Sequence, residues 1–323
     1  MHMNTNMRVV VIGCTPMAEK VIHVLMEMPE VTMAGVVNLS MRQGLGKSNY
    51  TPMSFLQGHL GARYLEVTDV NAPETLAWIV GHAPAVILQA GWSQIFRSEL
   101  LQLPSRYCLG LHAAPLPKGR GAAILNWKLL EGGGPWGISL FVMQEKTDTG
   151  AVLDFEPFDL EERDDIRMAY FKADRAAVAI IQRTVPLLAC GRERLIAQDP
   201  KGATRYYSRK PADGRLTAGM TSATILNYVR ALTHPYPGAF LDSPWGRLTV
   251  WRAQPFGFQS QAEPGMVLAV LPGQGVAVAV ADGAVLLTEV TPPDGLTIWC
   301  DVWAQEIGLR SGDRLFAADS ASA

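Results

Sequence analysis

His112 and Asp148 are the side chains of this sequence best placed for proton transfer. His112 ends a predicted strand, residues 107–112, and a loop rich in Pro and Gly follows it at 115–121. Asp148 lies in the loop Lys146-Thr-Asp-Thr-Gly, directly after a second predicted strand. Ligands of open α/β sheets bind beyond the carboxyl ends of the strands. If the two strands run parallel and close together, both side chains face one cleft.

The chemistry that this pair would supply is general acid–base catalysis. A carboxylate hydrogen-bonded to an imidazole fixes the imidazole tautomer and stabilises its protonated form. An imidazole held in this way can take a proton from one reacting group and give it to another. A lone histidine is more often a structural residue, and it is the position of His112 at a strand end that favours the catalytic interpretation.

Other common chemistries have little support in the sequence. Gly13 lies between a predicted strand and a predicted helix, but Gly13-Cys-Thr-Pro-Met-Ala is neither G-x-G-x-x-G nor a phosphate-binding loop. We interpret it as a tight turn, so a nicotinamide dehydrogenase loses its main sequence support. The cysteines are far apart and form no Cys-x-x-Cys pair, so neither a metal site nor a disulfide framework is predicted.

Length and composition predict a two-domain globular protein. The chain has 323 residues, of which 48% are hydrophobic and 18% charged, enough apolar material for well-formed cores. The net charge of -2 shows no basic balance and weighs against a nucleic-acid substrate. No apolar run reaches the length of about 20 residues that a membrane span needs, and the start lacks the apolar core of a signal peptide. We therefore expect a cytoplasmic protein without a membrane partner.

The pattern of elements predicts a fold of the α/β class followed by a β-rich domain. Strands and helices alternate through residues 1–205, which is typical of a Rossmann-like, mainly parallel sheet with helices on both faces. Residues 206–318 carry short strands separated by Gly and Pro, which favours a small OB-like barrel. A hairpin is predicted around Asp282-Gly283, and Ser222 is a candidate N-cap for a helix over 221–232.

The segment 107–152 resembles formyltransferases that use 10-formyltetrahydrofolate, a family that includes methionyl-tRNA formyltransferase and enzymes that formylate amino sugars or siderophore hydroxamates. Further segments extend the resemblance from about residue 8 to 300. The matching residues and segments are His112, Leu116-Pro117, Arg120-Gly121, Trp127, Asp148-Thr-Gly150, the loop Gly91-Trp-Ser-Gln-Ile-Phe, Arg209-Lys-Pro-Ala-Asp-Gly and the segment 230–240.

The resemblance implies that a formyl group passes directly from 10-formyltetrahydrofolate to an amine, with His112 and Asp148 as catalytic residues. It also implies two binding regions. The residues expected to contact the folate are Trp92, Gln94, Ile95, Phe96, Thr147 and Asp148. The residues expected on the substrate side are Pro117, Arg120 and Tyr207. The residues themselves leave alternatives open, because Ile95 and Phe96 equally suit a core and Arg120 equally suits pinning its own loop.

Gly110 is a departure from the family pattern, in which an Asn two residues before the His points the same way along the strand. The resemblance implies that this Asn stabilises the oxyanion, and losing one such donor typically costs about 10²–10³ in rate. Gly110 offers only its backbone N–H at this catalytic position and leaves room for water or a bulkier substrate. Ala114 likewise stands where the family often has Ser. We favour a site in which water or another side chain replaces the Asn, with altered group transfer or weakened catalysis as alternatives.

A small-molecule amine is the expected acceptor, with a nucleotide-linked amino sugar favoured over an amino acid or a hydroxylamine. Methionyl-tRNA is less favoured because residues 38–50 hold only Arg42 and Lys47, where that enzyme carries a longer basic loop. Two functions of other classes stay open. The chain could hydrolyse the formyl-folate, or it could bind folate without catalysis.

Overall fold

The computed structural model describes residues 6–257, 261–293 and 295–317. The chain forms two compact units. The first contains the residues up to Ile124, Pro135–Asp159 and Tyr170–Tyr207. The second contains Leu125–Gly134, Leu160–Ala169 and the described residues from Ser208 onward. The expected division of the chain between residues 205 and 206 stays a prediction.

Strands and helices alternate in the first part of the chain, and strands dominate after residue 239. The strands are β1 (Met7–Gly13), β2 (Val31–Leu39), β3 (Tyr64–Val67), β4 (Val86–Ala90), β5 (Tyr107–His112), β6 (Arg120–Gly121), β7 (Gly134–Val142), β8 (Val152–Leu160), β9 (Arg205–Tyr206), β10 (Ala239–Ser243), β11 (Gly246–Phe256), β12 (Val267–Leu271), β13 (Gly275–Val280), β14 (Gly283–Thr291) and β15 (Ile298–Trp299). The helices are α1 (Pro16–Glu27), α2 (Met41–Gly44), α3 (Gln57–Leu60), α4 (Pro73–Gly81), α5 (Ser98–Leu101), α6 (Ile124–Leu130), α7 (Ile166–Ala189), α8 (Ser222–Leu232) and α9 (Cys300–Glu306).

The first unit is built on a seven-stranded sheet in the order β3-β2-β1-β4-β5-β7-β8. From β3 to β5 the neighbouring strands are parallel, which confirms the predicted Rossmann-like sheet. The β-branched run Val9–Ile12 is buried on both faces, as expected for a central parallel strand. β7 is antiparallel to β5, so the strands that precede His112 and Asp148 do not run parallel. A buried strand has the same apolar pattern in either direction, which is why the sequence does not reveal this.

The second unit contains an antiparallel sheet in the order β10-β11-β14-β13-β12, with β15 paired to β14. The predicted hairpin is confirmed, but its turn is Ala281-Asp282 rather than Asp282-Gly283, since β13 and β14 pair up to Val280 and Gly283. The helix over 222–232 is also present, but its N-cap is Thr221 rather than Ser222 because the Thr221 hydroxyl accepts from Thr224 N. The β-rich character of this region is therefore confirmed, and its closure into an OB-like barrel stays a prediction.

Arg230 bonds to two earlier segments of the chain that belong to the second unit. Its guanidinium donates to the carbonyl oxygens of Glu161 at 2.9 Å, Asp164 at 3.0 Å and Leu129 at 3.3 Å. One side chain of α8 therefore satisfies backbone acceptors from both segments. Among the described residues, no helix combines the length and the apolar character needed to cross a membrane.

Replacing Ile87 by Ala should lower the free energy of unfolding by about 2–5 kcal/mol, because a fully buried side chain would leave a cavity in the first unit. Urea denaturation followed by tryptophan fluorescence measures the change. Ile95→Ala is the matched control, since Ile95 is 70% exposed and the same truncation should cost less than about 0.5 kcal/mol. Equal effects of the two substitutions would contradict the assignment of Ile87 to the core.

Candidate functional site

His112 lies at the end of β5 and is held by the loop that follows it. Its Nε2 lies 2.7 Å from the carbonyl oxygen of Gly119. A carbonyl oxygen only accepts hydrogen bonds, so Nε2 carries a hydrogen and donates it. The tautomer is thereby fixed, and Nδ1 is the nitrogen left to exchange a proton.

Asp148 lies beside that second nitrogen. Its Oδ1 is 3.9 Å from His112 Nδ1, within ion-pair range but too long for a direct hydrogen bond. The expected direct bond between them is therefore absent. β7 ends at Val142, opposite Leu109. The loop that carries Asp148 thus begins three residues before His112 on β5, and the other carboxylate oxygen accepts from Gly121 N at 2.7 Å.

The surroundings of His112 and Asp148 favour general acid–base catalysis. Only 12% of the His112 side chain and 10% of the Asp148 side chain are exposed, so their mutual attraction is weakly screened. A proton taken up at Nδ1 would make an imidazolium that faces a carboxylate. Cys108 lies on the same face of β5, but burial raises the pKa of its thiol to about 12. The thiol is therefore protonated at neutral pH and is a poor nucleophile.

The space beside Gly110 is occupied, so the expectation of room for water or a bulkier substrate is wrong. A Cβ at this position would lie 2.8 Å from Phe141 Cε1 and 3.1 Å from Met143 Cγ. Phe141 is the cross-strand partner of Gly110 and meets the His112 ring edge-on, with centroids 6.3 Å apart. The Phe141 ring, here called the aromatic wall, fills the volume that an Asn side chain would need.

The backbone N–H of Gly110 is also engaged, in a hydrogen bond of the sheet. Met143 N donates to Cys108 O at 2.8 Å. Bonded and non-bonded pairs alternate in an antiparallel ladder, so the pair of Gly110 and Phe141, two residues further along, is bonded as well. The Gly110 N–H thus points at the Phe141 carbonyl and is not free to stabilise an oxyanion.

Arg120 is held by a residue that the sequence analysis did not single out. The Arg120 Nε and Nη2 atoms donate to Gln198 Oε1 at 3.2 and 2.7 Å, and Arg120 is 9% exposed. Arg120 therefore does pin its own loop, and a substrate contact stays a prediction. Gln198 belongs to no recognisable motif, and only its place in a polar segment just before β9 hints at a role.

The loop expected to hold the folate is pinned at its centre. Gln94 accepts from Val70 N at 2.9 Å and donates to Thr68 O at 2.7 Å, so this side chain fixes the loop to the end of β3. Phe96 is 3% exposed and belongs to the hydrophobic core, which is the alternative that the sequence left open. Ile95 is 70% exposed, so a ligand can reach its apolar side chain.

The remaining predicted contacts lie on loops and strand ends of the first unit. Trp92 is half-buried against the same core as Phe96. Thr147 is half-buried, and its carbonyl accepts from Arg205 Nη2 at 3.2 Å. Pro117 is half-buried in the loop between His112 and Gly119. Tyr207, directly after β9, is 73% exposed.

Gly110→Asn should lower the free energy of unfolding by about 1–3 kcal/mol, because the new side chain overlaps Phe141. In the background Phe141→Ala the same change should cost at least about 1 kcal/mol less, since the obstruction is gone. Chemical denaturation of the wild type, the two single variants and the double variant gives the coupling free energy between positions 110 and 141. Gly58→Asn is the control, because a Cβ there meets nothing within 4 Å. Additive effects would show that Phe141 does not fill the Asn volume.

Comparison with known proteins places this chain in a family. A family model for formyl transferases matches residues 7–185, and a model for the C-terminal domain of formyl transferases matches residues 209–307. Many solved structures are similar in fold, and three of them are described here. HypX from Aquifex aeolicus in complex with tetrahydrofolic acid is 18% identical with a TM-score of 0.66, covering 93% of this chain and 47% of HypX, so the chain spans about half of HypX.

WlaRD, a sugar 3N-formyl transferase studied in the presence of dTDP and 5-N-formyl-THF, is 14% identical with a TM-score of 0.63, covering 90% of this chain and 99% of WlaRD. Methionyl-tRNA formyltransferase from Clostridium thermocellum is 19% identical with a TM-score of 0.54, covering 86% of this chain and all of that enzyme. At these identities the structures show a shared fold. The first family model alone matches more than half of the sequence, and this chain therefore belongs to the formyl transferase family.

Proposed function

We propose that this chain transfers a formyl group from 10-formyltetrahydrofolate to an amine of a small molecule, with His112 as the acid–base residue. The observation that carries the proposal is the partly buried pair in which His112 Nδ1 faces the Asp148 carboxylate while Nε2 is fixed by Gly119 O. Membership of the formyl transferase family supports the class of reaction.

His112 moves one proton in the proposed reaction. The neutral amine attacks the formyl carbon, and Nδ1 accepts the proton that the amine nitrogen loses. Asp148 stabilises the imidazolium that results, since its Oδ1 is within ion-pair range. Nδ1 then returns the proton to the donor nitrogen as its bond to the formyl carbon breaks. The products are the formylated amine and tetrahydrofolate, and His112 ends as it began.

The loop 91–96 fits a planar ligand in two respects. Ile95 presents an exposed apolar side chain, and Gln94 holds the loop in one conformation through two backbone partners. When bound, 10-formyltetrahydrofolate supplies the formyl carbon. Trp92, Gln94, Ile95 and Thr147 are the residues we propose for its binding, with the Phe96 side chain serving the core beneath the loop.

An acceptor with an anionic group suits the substrate side. In the part of the chain that the structure describes, no carboxylate lies within ion-pair distance of Arg120, so this nearly buried guanidinium keeps a charge that a phosphate could neutralise. Tyr207 offers an exposed ring for stacking. These features favour a nucleotide-linked amino sugar. The fold-related WlaRD was studied with dTDP, which agrees with this choice.

Neither the Gly110 N–H, which is bonded within the sheet, nor the Phe141 ring beside it can donate to an oxyanion. This is a specific reason to test hydrolysis of the formyl-folate and binding without catalysis as well. Release of tetrahydrofolate should be measured with and without candidate amines. Release that requires an amine supports the transferase. Release without an amine indicates a hydrolase, and folate binding without release indicates a binding protein.

His112→Ala should lower kcat for formyl transfer by about 10²–10⁴-fold, because the proton acceptor is lost. The rate of tetrahydrofolate formation checks this, with circular dichroism to confirm folding. His59→Ala is the control, since His59 is an exposed residue of α3 and should leave the rate unchanged. A His112→Ala protein with the wild-type rate would rule out the mechanism.

A further inference from the structure

The segment 198–206, here called the return segment, lies between the two regions that the family models match, which end at residue 185 and resume at residue 209. It nevertheless contacts both loops of the catalytic pair. We propose that the return segment positions His112 and Asp148 for the reaction, with Gln198 and Thr204 as positioning residues. The catalytic part of this inference rests on the proposed function.

Gln198 fixes the backbone around Asp148. Its Nε2 donates to the carbonyl oxygens of Asp148 at 3.0 Å and Gly150 at 2.7 Å. Its Oε1 accepts both bonds from Arg120. Carbonyls only accept and a guanidinium only donates, so the orientation of the Gln198 amide is unambiguous. The charge of Arg120 strengthens its side of the contact.

Asp148 needs such support because its backbone is unusual. Its φ of 59° lies in the left-handed region, which non-glycine residues seldom adopt. A non-glycine residue keeps such a conformation only where the surroundings enforce it. The two Gln198 bonds on either side of Thr149 are such an enforcement. Without them the loop can relax to negative φ, which turns the Asp148 carboxylate away from His112 Nδ1.

Thr204 fixes the loop that holds His112. Its hydroxyl oxygen accepts from Gly119 N at 2.8 Å, and its carbonyl accepts from Arg120 N at 2.9 Å. The carbonyl of Gly119 is the group that accepts from His112 Nε2. Thr204 therefore sets the position of the acceptor that fixes the His112 tautomer. The return segment thus acts on both members of the pair, through a different side chain for each.

The pairing of β6 with β9 joins these contacts into one arrangement. Arg120 and Gly121 pair with Arg205 and Tyr206, and Gly121 N donates to Asp148 Oδ2. Gly121 therefore gives the return segment a second connection to Asp148, through the carboxylate in addition to the backbone. A displacement of about 1 Å at a reacting group can cost on the order of 10²-fold in rate.

The test compares Gln198→Leu with Gln182→Leu, the same change at an exposed position of α7. For Gln198→Leu we expect kcat to fall on the order of 10- to 100-fold with little change in KM for either substrate. Amide hydrogen exchange supplies a readout independent of turnover. Exchange at Gly121 should rise on the order of 10-fold, because its carboxylate acceptor is displaced, while exchange at Gly110 in the sheet stays constant.

Thr204→Val and Thr204→Ser test the contact between Thr204 and the loop that holds His112. Thr204→Val removes the acceptor for Gly119 N, so kcat should fall and the Gly119 amide should exchange faster. Thr204→Ser keeps the hydroxyl, so kcat and the exchange rate at Gly119 should both stay near their wild-type values. The inference is overturned if Gln198→Leu and Thr204→Val leave kcat and both amides unchanged, or if all amides exchange faster together, as in general destabilisation. If the wild-type protein transfers no formyl group, the proposed function fails, and the exchange at Gly119 and Gly121 still decides the positioning.

Discussion

The hydrogen bond from His112 Nε2 to Gly119 O is the interaction on which the site depends. It fixes the imidazole tautomer and so determines which nitrogen faces Asp148. The carbonyl is itself held firmly. Gly119 has a φ of 75°, and a Cβ there would lie 2.7 Å from Ala114 Cβ and 3.0 Å from the Trp136 ring. No larger residue fits where the loop folds back onto the imidazole.

The sequence is most informative where one local rule decides the structure. The β-branched run in β1, the existence of the hairpin of β13 and β14, and the place of His112 at a strand end all follow from propensity and spacing. The direction of β7 and the choice of Thr221 over Ser222 as N-cap do not, because neighbouring geometry decides between equivalent patterns. The role of Gln198 cannot be predicted for the same reason. Its partners, the Arg120 guanidinium and the carbonyl oxygens of Asp148 and Gly150, are all distant in the sequence.

Gly110 illustrates why a missing family residue cannot be interpreted alone. Its small size leaves a volume that Phe141 and Met143 fill from the neighbouring strand. The interior packs as densely as an organic crystal, so the space beside a small residue on one strand is filled by side chains of the next strand. Gly110 and the aromatic wall are therefore one feature of the structure, and an Asn placed at position 110 alone would overlap Phe141.

The same feature limits how charge on the formyl oxygen can be stabilised under the proposed function. The Gly110 N–H belongs to the sheet, Phe141 offers no donor, and the Nε2 hydrogen of His112 is engaged by Gly119 O. The donor that His112 can turn toward an oxyanion is therefore the proton that Nδ1 gains from the attacking amine. Proton uptake and oxyanion stabilisation become one event at one atom. The carboxylate of Asp148 then has two effects that must be balanced: it stabilises the imidazolium and competes with the oxyanion for the same hydrogen. A separation of 3.9 Å, rather than a short direct bond, leaves that hydrogen free to serve the oxyanion.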